Sequence, residues 1–230
     1  MDTLKDKWEE SFRRLDNVIF YPKEETVKFI NRFVRKRVGV DGFIDVLDFS
    51  KRVRGLDYGC GIGRIAILMK EFGIDAYGVD ISQAGIETAK KLAAHFGFKD
   101  MTDKFRVVSG SNIPFDKDFF DITICEAVLD SMYFELSKKI IKEIDRVTKK
   151  MAFISLISGD DNRHPKGFCG EEVVKTEHEK GTIQSYYNWD KVQRLVENTD
   201  FKVVWCNLVT EKSLISDYKY GRYHVALRKG

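Results

Sequence analysis

Apolar residues near the start of the chain recur at helical spacing. Leu4, Trp8, Phe12 and Leu15 are three or four apart, with charged residues between them. Phe20-Tyr21-Pro22 interrupts that period, and Pro22 suits the first turn of a second helix. Val27, Ile30, Val34 and Val38 mark one face of that helix across 23–38. From residue 52 the pattern alternates between short apolar runs and longer amphipathic ones. Strands are predicted at 52–58, 74–79, 105–109, 120–125 and 151–158. Helices are predicted at 62–72, from the capping Ser82 to about 96, and at 135–148.

Strands separated by helices of this length imply parallel βαβ units with right-handed crossovers. The last third departs from that rhythm. Residues 159–187 are polar and irregular, a long insertion of the kind that more often carries function than not. Asn188 can cap a helix over 189–198, and the β-rich runs 201–208 and 223–228 follow without a long helix between them. That pair reads as an antiparallel hairpin on one sheet edge. The expected fold is therefore α/β and Rossmann-like: a seven-stranded, mostly parallel sheet with a C-terminal antiparallel hairpin, helices on both faces and an N-terminal helical addition. Residues 1–51 form the addition and 52–230 the main domain, with the insertion on one side of its site.

Composition narrows the class. The chain has 230 residues, 43% hydrophobic and 33% charged, enough for one domain with a full core. Lys and Arg number 39 against 36 Asp and Glu, a net charge of +3 that offers no general electrostatic argument for nucleic acid. The basic run Arg35-Lys36-Arg37, with Arg32 nearby, falls at the predicted end of the second helix, where cations suit the macrodipole. Cys60, Cys125, Cys169 and Cys206 form no CxxC pair, two of them inside predicted buried elements. With a polar N-terminus and no apolar run near 18 residues, a cytoplasmic, reduced protein is expected.

The segment with the most chemical content is Gly55-Leu56-Asp57-Tyr58-Gly59-Cys60-Gly61-Ile62-Gly63-Arg64. Three alternating glycines lie between a strand and a helix, where the backbone must turn sharply and admit a ligand closely. The spacing is G-x-G-x-G, whereas the dinucleotide fingerprint is G-x-G-x-x-G. Asp57 sharpens the distinction, because a carboxylate in this turn would repel a pyrophosphate at the helix N-terminus. S-adenosylmethionine has no phosphate and carries an ammonium and a sulfonium, which a carboxylate favours. Asp80, ending Gly78-Val79-Asp80, stands where an acidic residue would accept hydrogen bonds from ribose hydroxyls.

On these residues the sequence resembles the class I S-adenosylmethionine-dependent methyltransferases, in a branch that acts on small molecules. LDYGCGIGR is similar to the family's first motif and YGVDIS to its second. SGSNIPFDKDFFDITICEAV is similar to the third and fourth. The resemblance implies a cofactor site built from Asp57, Gly59, Cys60, Gly61, Gly63, Arg64, Asp80, Ile81, Ser111, Asn112, Ile113 and Glu126. The family usually has an acidic residue where this chain has Ser111 or Asn112, and the Asn112 carbonyl could serve the adenine amine instead. The product would be S-adenosylhomocysteine.

Methyl transfer is an in-line attack, with a base needed only where the acceptor must lose a proton. In this family the acceptor side is built from the end of the fourth strand, the segment after the fifth and N-terminal additions. That directs attention to Glu126, Tyr21 and His164 as catalytic candidates, with Asp130, Tyr133 and His178 beside them. Trp8, Phe12, Phe20, Phe168, Tyr186 and Tyr187 are aromatic residues able to cap the site. Asp160-Asp161-Asn162 is similar to the metal-binding run of catechol-type O-methyltransferases, yet the fourth strand ends in Cys125-Glu126 where those enzymes have an aspartate. No metal is assigned. The missing Asn-Pro-Pro-Tyr and Pro-Cys runs disfavour amino-methylation of adenine or glutamine and cysteine attack on pyrimidines. The expected activity is methyl transfer to an O or N of a small molecule, a metabolite or sugar, by a monomer or homodimer. The alternatives are a nucleic-acid or protein methyltransferase and a non-catalytic partner subunit.

Overall fold

A computed structural model describes residues 2–16, 18–109, 112–176 and 179–230. In chain order the first elements are α1 (Asp2–Arg13), α2 (Glu24–Phe33), β1 (Arg35–Val38) and β2 (Gly42–Asp45). The βα core follows as β3 (Arg54–Tyr58), α3 (Arg64–Glu71), β4 (Asp75–Asp80), α4 (Gln83–His95), a 3₁₀ turn (Lys99–Lys104) and β5 (Phe105–Val107). It continues as β6 (Phe120–Glu126), α5 (Phe134–Val147) and β7 (Thr148–Ile157). Last come β8 (Glu171–Val173), β9 (Ile183–Ser185), α6 (Trp189–Val196), β10 (Phe201–Lys212) and β11 (Lys219–Lys229).

The main sheet runs β10-β11-β7-β6-β3-β4-β5. The five strands from β7 to β5 are mutually parallel, and β11 lies antiparallel to both β7 and β10. Seven strands, mostly parallel, with a closing hairpin is the expected architecture. Successive residues of each strand point to opposite faces, so two cores form. Ile140, Ile141 and Ile144 of α5 and Val192 and Leu195 of α6 cover Leu56, Ile154 and Leu227 on one face. Phe29 and Ile30 of α2, Ala66 and Met69 of α3 and Ile86 of α4 cover Ile122, Phe153 and Ala226 on the other. Ser82 caps α4 by accepting from Gly85 N at 3.0 Å, and Asn188 caps α6 by accepting from Lys191 N at 2.9 Å.

Three expectations need correction. The second helix stops at Phe33, and Arg35-Lys36-Arg37 lies in a strand of the β1–β2 hairpin. Val34 and Val38 are four apart, which fits a helix face, but β-branched residues suit a strand equally well. The tertiary contacts decide: the Arg35 guanidinium lies 4.3 Å from the Phe43 ring and 4.1 Å from the Phe49 ring, and pairs with Asp45 at 2.6 Å. Pro22 precedes the N-cap residue Lys23 and so lies just outside the helix it was expected to open. The insertion is also more ordered than its composition suggests. It holds the β8–β9 hairpin, and Tyr186 and Tyr187 are fully buried.

The chain leaves β3 in one direction towards β4 and β5 and returns on its other side as β6. A crevice opens beyond the carboxyl ends of β3 and β6 at such a reversal, the usual place for a ligand in this architecture.

Candidate functional site

The floor of the crevice is the turn between β3 and α3. Gly59 N and Cys60 N both donate to Val79 O, at 2.8 and 3.0 Å, which ties the turn to the end of β4. Asp80 completes the tie. One carboxylate oxygen accepts from Gly61 N and the other from Ser82 N, both at 2.8 Å. Gly61 has φ +50, and a Cβ there would stand 2.9 Å from the Phe12 ring. Both facts demand glycine. Asp57 lies under the turn, 1% exposed, and accepts from Ala66 N at 3.0 Å in the first turn of α3. Burial raises its carboxyl to about 8, against the opposing pull of the Ala66 N–H and Arg64. Burial likewise raises Asp80.

One wall is held by two ion pairs, one of them buried and the other partly so. Glu126, the last residue of β6, accepts from Arg64 Nη2 at 2.9 Å and from the Thr26 hydroxyl. Arg64 also donates to the carbonyls of Ile19 and Tyr21, each at 3.4 Å, so the segment before α2 is fastened to the turn. Asp130 pairs with Arg222 of β11 at 2.8 Å and accepts from Ile157 N at 2.8 Å. Arg222 further donates to Tyr220 Oη at 2.7 Å, and its charge is held firmly by Asp130 despite burial.

The roof comes from elsewhere in the chain. Leu4, Trp8 and Phe12 of α1 line the crevice from above, with Glu179 and Gln184 from the insertion. Glu9 anchors α1 by accepting from Ser82 Oγ at 2.7 Å and Ala84 N at 3.1 Å, a carboxylate set at the N-terminus of α4 where the helix dipole favours it. Between floor, walls and roof lies a partly open cavity of about 670 Å³.

A family described as a methyltransferase domain matches residues 49–208, most of the chain and all of the βα core. The chain belongs to the class I S-adenosylmethionine-dependent methyltransferases. It is 31% identical over 164 residues to the sterol 4-C-methyltransferase strm-1 of Caenorhabditis elegans, covering 64% of this chain and 48% of that protein. The chain spans half or less of the length of the first curated relatives it matches. In fold it is similar to a methyltransferase from Methanosarcina mazei, with a TM-score of 0.63 at 20% identity over 77% of this chain and 92% of that one. It is also similar to magnesium protoporphyrin IX methyltransferase from Synechocystis PCC 6803, solved with S-adenosylmethionine. There the TM-score is 0.57 at 16% identity, over 78% of this chain and 71% of that one. No helix among the described residues of this methyltransferase is long and apolar enough to cross a membrane.

Of the residues expected to hold the cofactor, Gly59, Cys60, Gly61, Arg64, Asp80, Ile81 and Glu126 line the cavity. Asp57 and Gly63 lie beneath it. At Gly63, the N-cap of α3 with φ +81, a Cβ would meet Ala89 and Phe105 rather than the cavity. Asn112 and Ile113 are not part of the lining. Asn112 is exposed, while Ile113 is buried and donates its N–H to Glu143 at 3.1 Å. Val108 and Ser109 line the cavity on that side instead. Ser111 and His178 lie outside the described residues.

Two of the three catalytic candidates are displaced. The Tyr21 side chain is 78% exposed, and only its backbone carbonyl meets Arg64. His164 is part of the insertion's own packing: its ring contacts Asp161 at 2.9 Å and Glu172 at 3.2 Å, and stacks on Phe168 with centroids 4.1 Å apart. Tyr133 is exposed and outside the lining. Asp160 pairs with Lys219 at 2.7 Å and Asp161 with His164, and neither lines the cavity. Glu126 and Asp130 do line it. Lys23, Tyr220 and Arg222 also line it, and sequence reasoning missed them. The available signal was a charge just ahead of the apolar run of β11, and a lysine placed ahead of the acidic first turn of α2.

Proposed function

We propose that this methyltransferase transfers the methyl group of S-adenosylmethionine to an oxygen or nitrogen of a small molecule. The observation that carries the reading is the cavity itself. Two buried carboxylates stand at the carboxyl ends of adjacent strands, under a roof made by the chain's own N-terminal helix and insertion. Its volume suits one cofactor with a small acceptor. A roofed crevice with paired charges is a poor fit for a nucleic-acid duplex or a folded protein.

The residues present suit the cofactor. Asp57 is a buried carboxyl pushed towards its neutral form, and a nearby cationic ligand would draw it back to the anion. Asp80 has an acceptor lone pair left on each oxygen after binding Gly61 N and Ser82 N, suited to a ribose diol. Gly61 leaves the backbone open to close approach. When bound, the cofactor supplies an electrophilic methyl group and its leaving group; the protein supplies alignment and exclusion of water. Glu126 is already engaged by Thr26 and Arg64, so we assign it to fastening the N-terminal segment rather than to taking a proton. Of the N-terminal addition, the part up to Lys23 acts as a cover, with the insertion meeting it beside α1, while α2 packs into the core.

Calorimetry tests the cofactor half. S-adenosylhomocysteine should bind and, at 100 times its dissociation constant, stabilise the protein by about 2.7 kcal/mol, while NAD gives no shift. The acceptor half is tested with a tritiated methyl donor and pooled metabolite fractions. Label should pass to an organic-extractable product. Label appearing only in precipitable nucleic acid or protein would overturn the small-molecule reading.

A further inference from the structure

On the β6 and β11 side of the cavity the charged side chains meet in two ion pairs, and Lys23 stands beside them in neither. Glu126 is taken by Arg64 and Asp130 by Arg222, while the Asp80 oxygens accept from two backbone N–H groups. The Lys23 ammonium lines the same cavity and has no hydrogen bond or ion pair among the described residues.

Nothing local explains a cation there. Lys23 is the N-cap residue of α2, with no side-chain cap, at the helix end where the dipole disfavours positive charge. The adjacent acids Glu24 and Glu25 would be natural partners, but both are turned to Lys28, at 2.9 and 3.6 Å. Lys23 instead extends into a space whose other charged neighbours are Arg222, Glu126, Asp130 and Arg64, with Tyr220 also on the lining. Burial and the Arg222 charge hold its pKa below the usual lysine value, the two nearby carboxylates only partly offsetting them. An unpaired, desolvated ammonium is costly, and an anionic group on a ligand would repay that cost. Towards α1 and α5 the lining is mainly apolar, with Trp8, Phe12, Met132, Leu136 and Ile140, and with Lys5 the charged residue that α1 adds.

We infer that the methyl acceptor is an apolar molecule bearing one acidic oxygen, a phenol, enol or carboxylic acid, and that the Lys23 ammonium binds that oxygen as an anion. The inference rests on the methyltransferase reading above and names its substrate class. The oxygen is bound beside Glu126, at the end of β6 and next to the glycine turn, and the apolar body lies against α1 and α5. Arg222 lends further positive potential, but its own charge is already answered by Asp130.

The test uses the full chain saturated with S-adenosylhomocysteine and two matched probes, 2-naphthoate and its neutral isostere 2-naphthamide. Naphthoate should bind about tenfold or more tightly than naphthamide, as expected for a charge-assisted contact. Lys23→Met should erase the preference and Lys23→Arg should keep it. In a second measurement, bound 4-nitrophenol should ionise at lower pH than the free phenol, read from its phenolate absorbance, and Lys23→Met should remove that shift. Because Lys23→Met removes an unpaired, partly buried charge, the variant should melt no lower than the parent, which separates lost recognition from lost folding. Equal binding of the two probes, no binding of either, or an unchanged preference in Lys23→Met each overturns the inference. Failure of S-adenosylhomocysteine to bind overturns the methyltransferase reading beneath it instead.

Discussion

The floor and the roof of this cavity are made in opposite ways. The floor is one short turn plus one strand end: residues 57–64 and Asp80, locked by Gly61 N to Asp80 and by Gly59 N and Cys60 N to Val79 O. The roof and the facing wall collect residues from α1, the segment before α2, the end of β6, the insertion and β11. Backbone N–H groups, given to Val79 O and the Asp80 carboxylate, fix the floor, whereas the roof and wall are held by side chains such as Glu9 on the N-terminus of α4 and Arg64 on Glu126. A site whose chemistry is shared across a family can sit in the first kind of structure. We assign acceptor choice to the second.

The comparison breaks most directly at α1. Deleting residues 1–17 should lower methyl transfer in the labelled assay by more than about 100-fold, through lost alignment and admitted water. The sheet contains no α1 residue, so circular dichroism and a cooperative urea transition should survive. Full activity after deletion would mean that the roof has no role. If α1 closes over ligand, its amides should also exchange faster in the free protein than in the complex.

Gly61→Val should weaken S-adenosylhomocysteine by about 100-fold or more, because a branched residue at φ +50 is strained and its Cβ strikes Phe12. An unchanged affinity, with the fold intact by circular dichroism, would detach the turn from the cofactor. Asp80→Ala should cost about 1–3 kcal/mol of the same affinity, since it removes a buried charged acceptor. Calorimetry showing full affinity would move the ribose elsewhere.

The floor should also govern the pH dependence of stability. Asp57 rises from 3.8 to about 8 on folding, while burial lowers His224 from 6.5 to about 4. Between pH 4 and 6.5 the two effects cancel: the unfolded chain holds the histidine proton and the folded chain the aspartate proton. Between 6.5 and 8 only the folded chain holds a proton, on Asp57. Stability should therefore fall as pH rises through that window, by about 2 kcal/mol. Asp57→Asn should flatten the fall, as measured by urea unfolding at three pH values. A slope that persists in the variant would place the titration elsewhere. The smallest effect is expected at His164. His164→Ala should lower the melting temperature by a few degrees, on the order of 1 kcal/mol, and leave the pH profile of methyl transfer in place. A lost alkaline or acid limb would return His164 to the chemistry.

The difference between floor and roof is also the difference in what could be read from the chain. The alternation of apolar runs pointed to the five parallel strands, and Ser82 and Asn188 to two helix starts. The glycine spacing with Asp57 and Asp80 pointed to the cofactor. All of these are local: period, capping and turn chemistry act within a few residues, so they are written contiguously. The β1–β2 hairpin was misread because Val34 and Val38 satisfy both periods, and only the Arg35 contacts with Phe43, Phe49 and Asp45 separate them. Tyr21 and His164 were chosen by residue type at plausible positions, yet the fold turns one to solvent and packs the other inside the insertion.

By itself, then, the sequence determined the order of the βα core elements, the parallel sheet and the glycine turn to which we assign the cofactor. Tertiary structure alone decided which charges meet. Thr26 reaches Glu126 and Arg222 reaches Asp130 from some 90 to 100 residues away, and Lys23 stands near both carboxylates in neither pairing among the described residues. Pairing between distant side chains depends on where the packed sheet and helices bring them, and no short-range pattern records that.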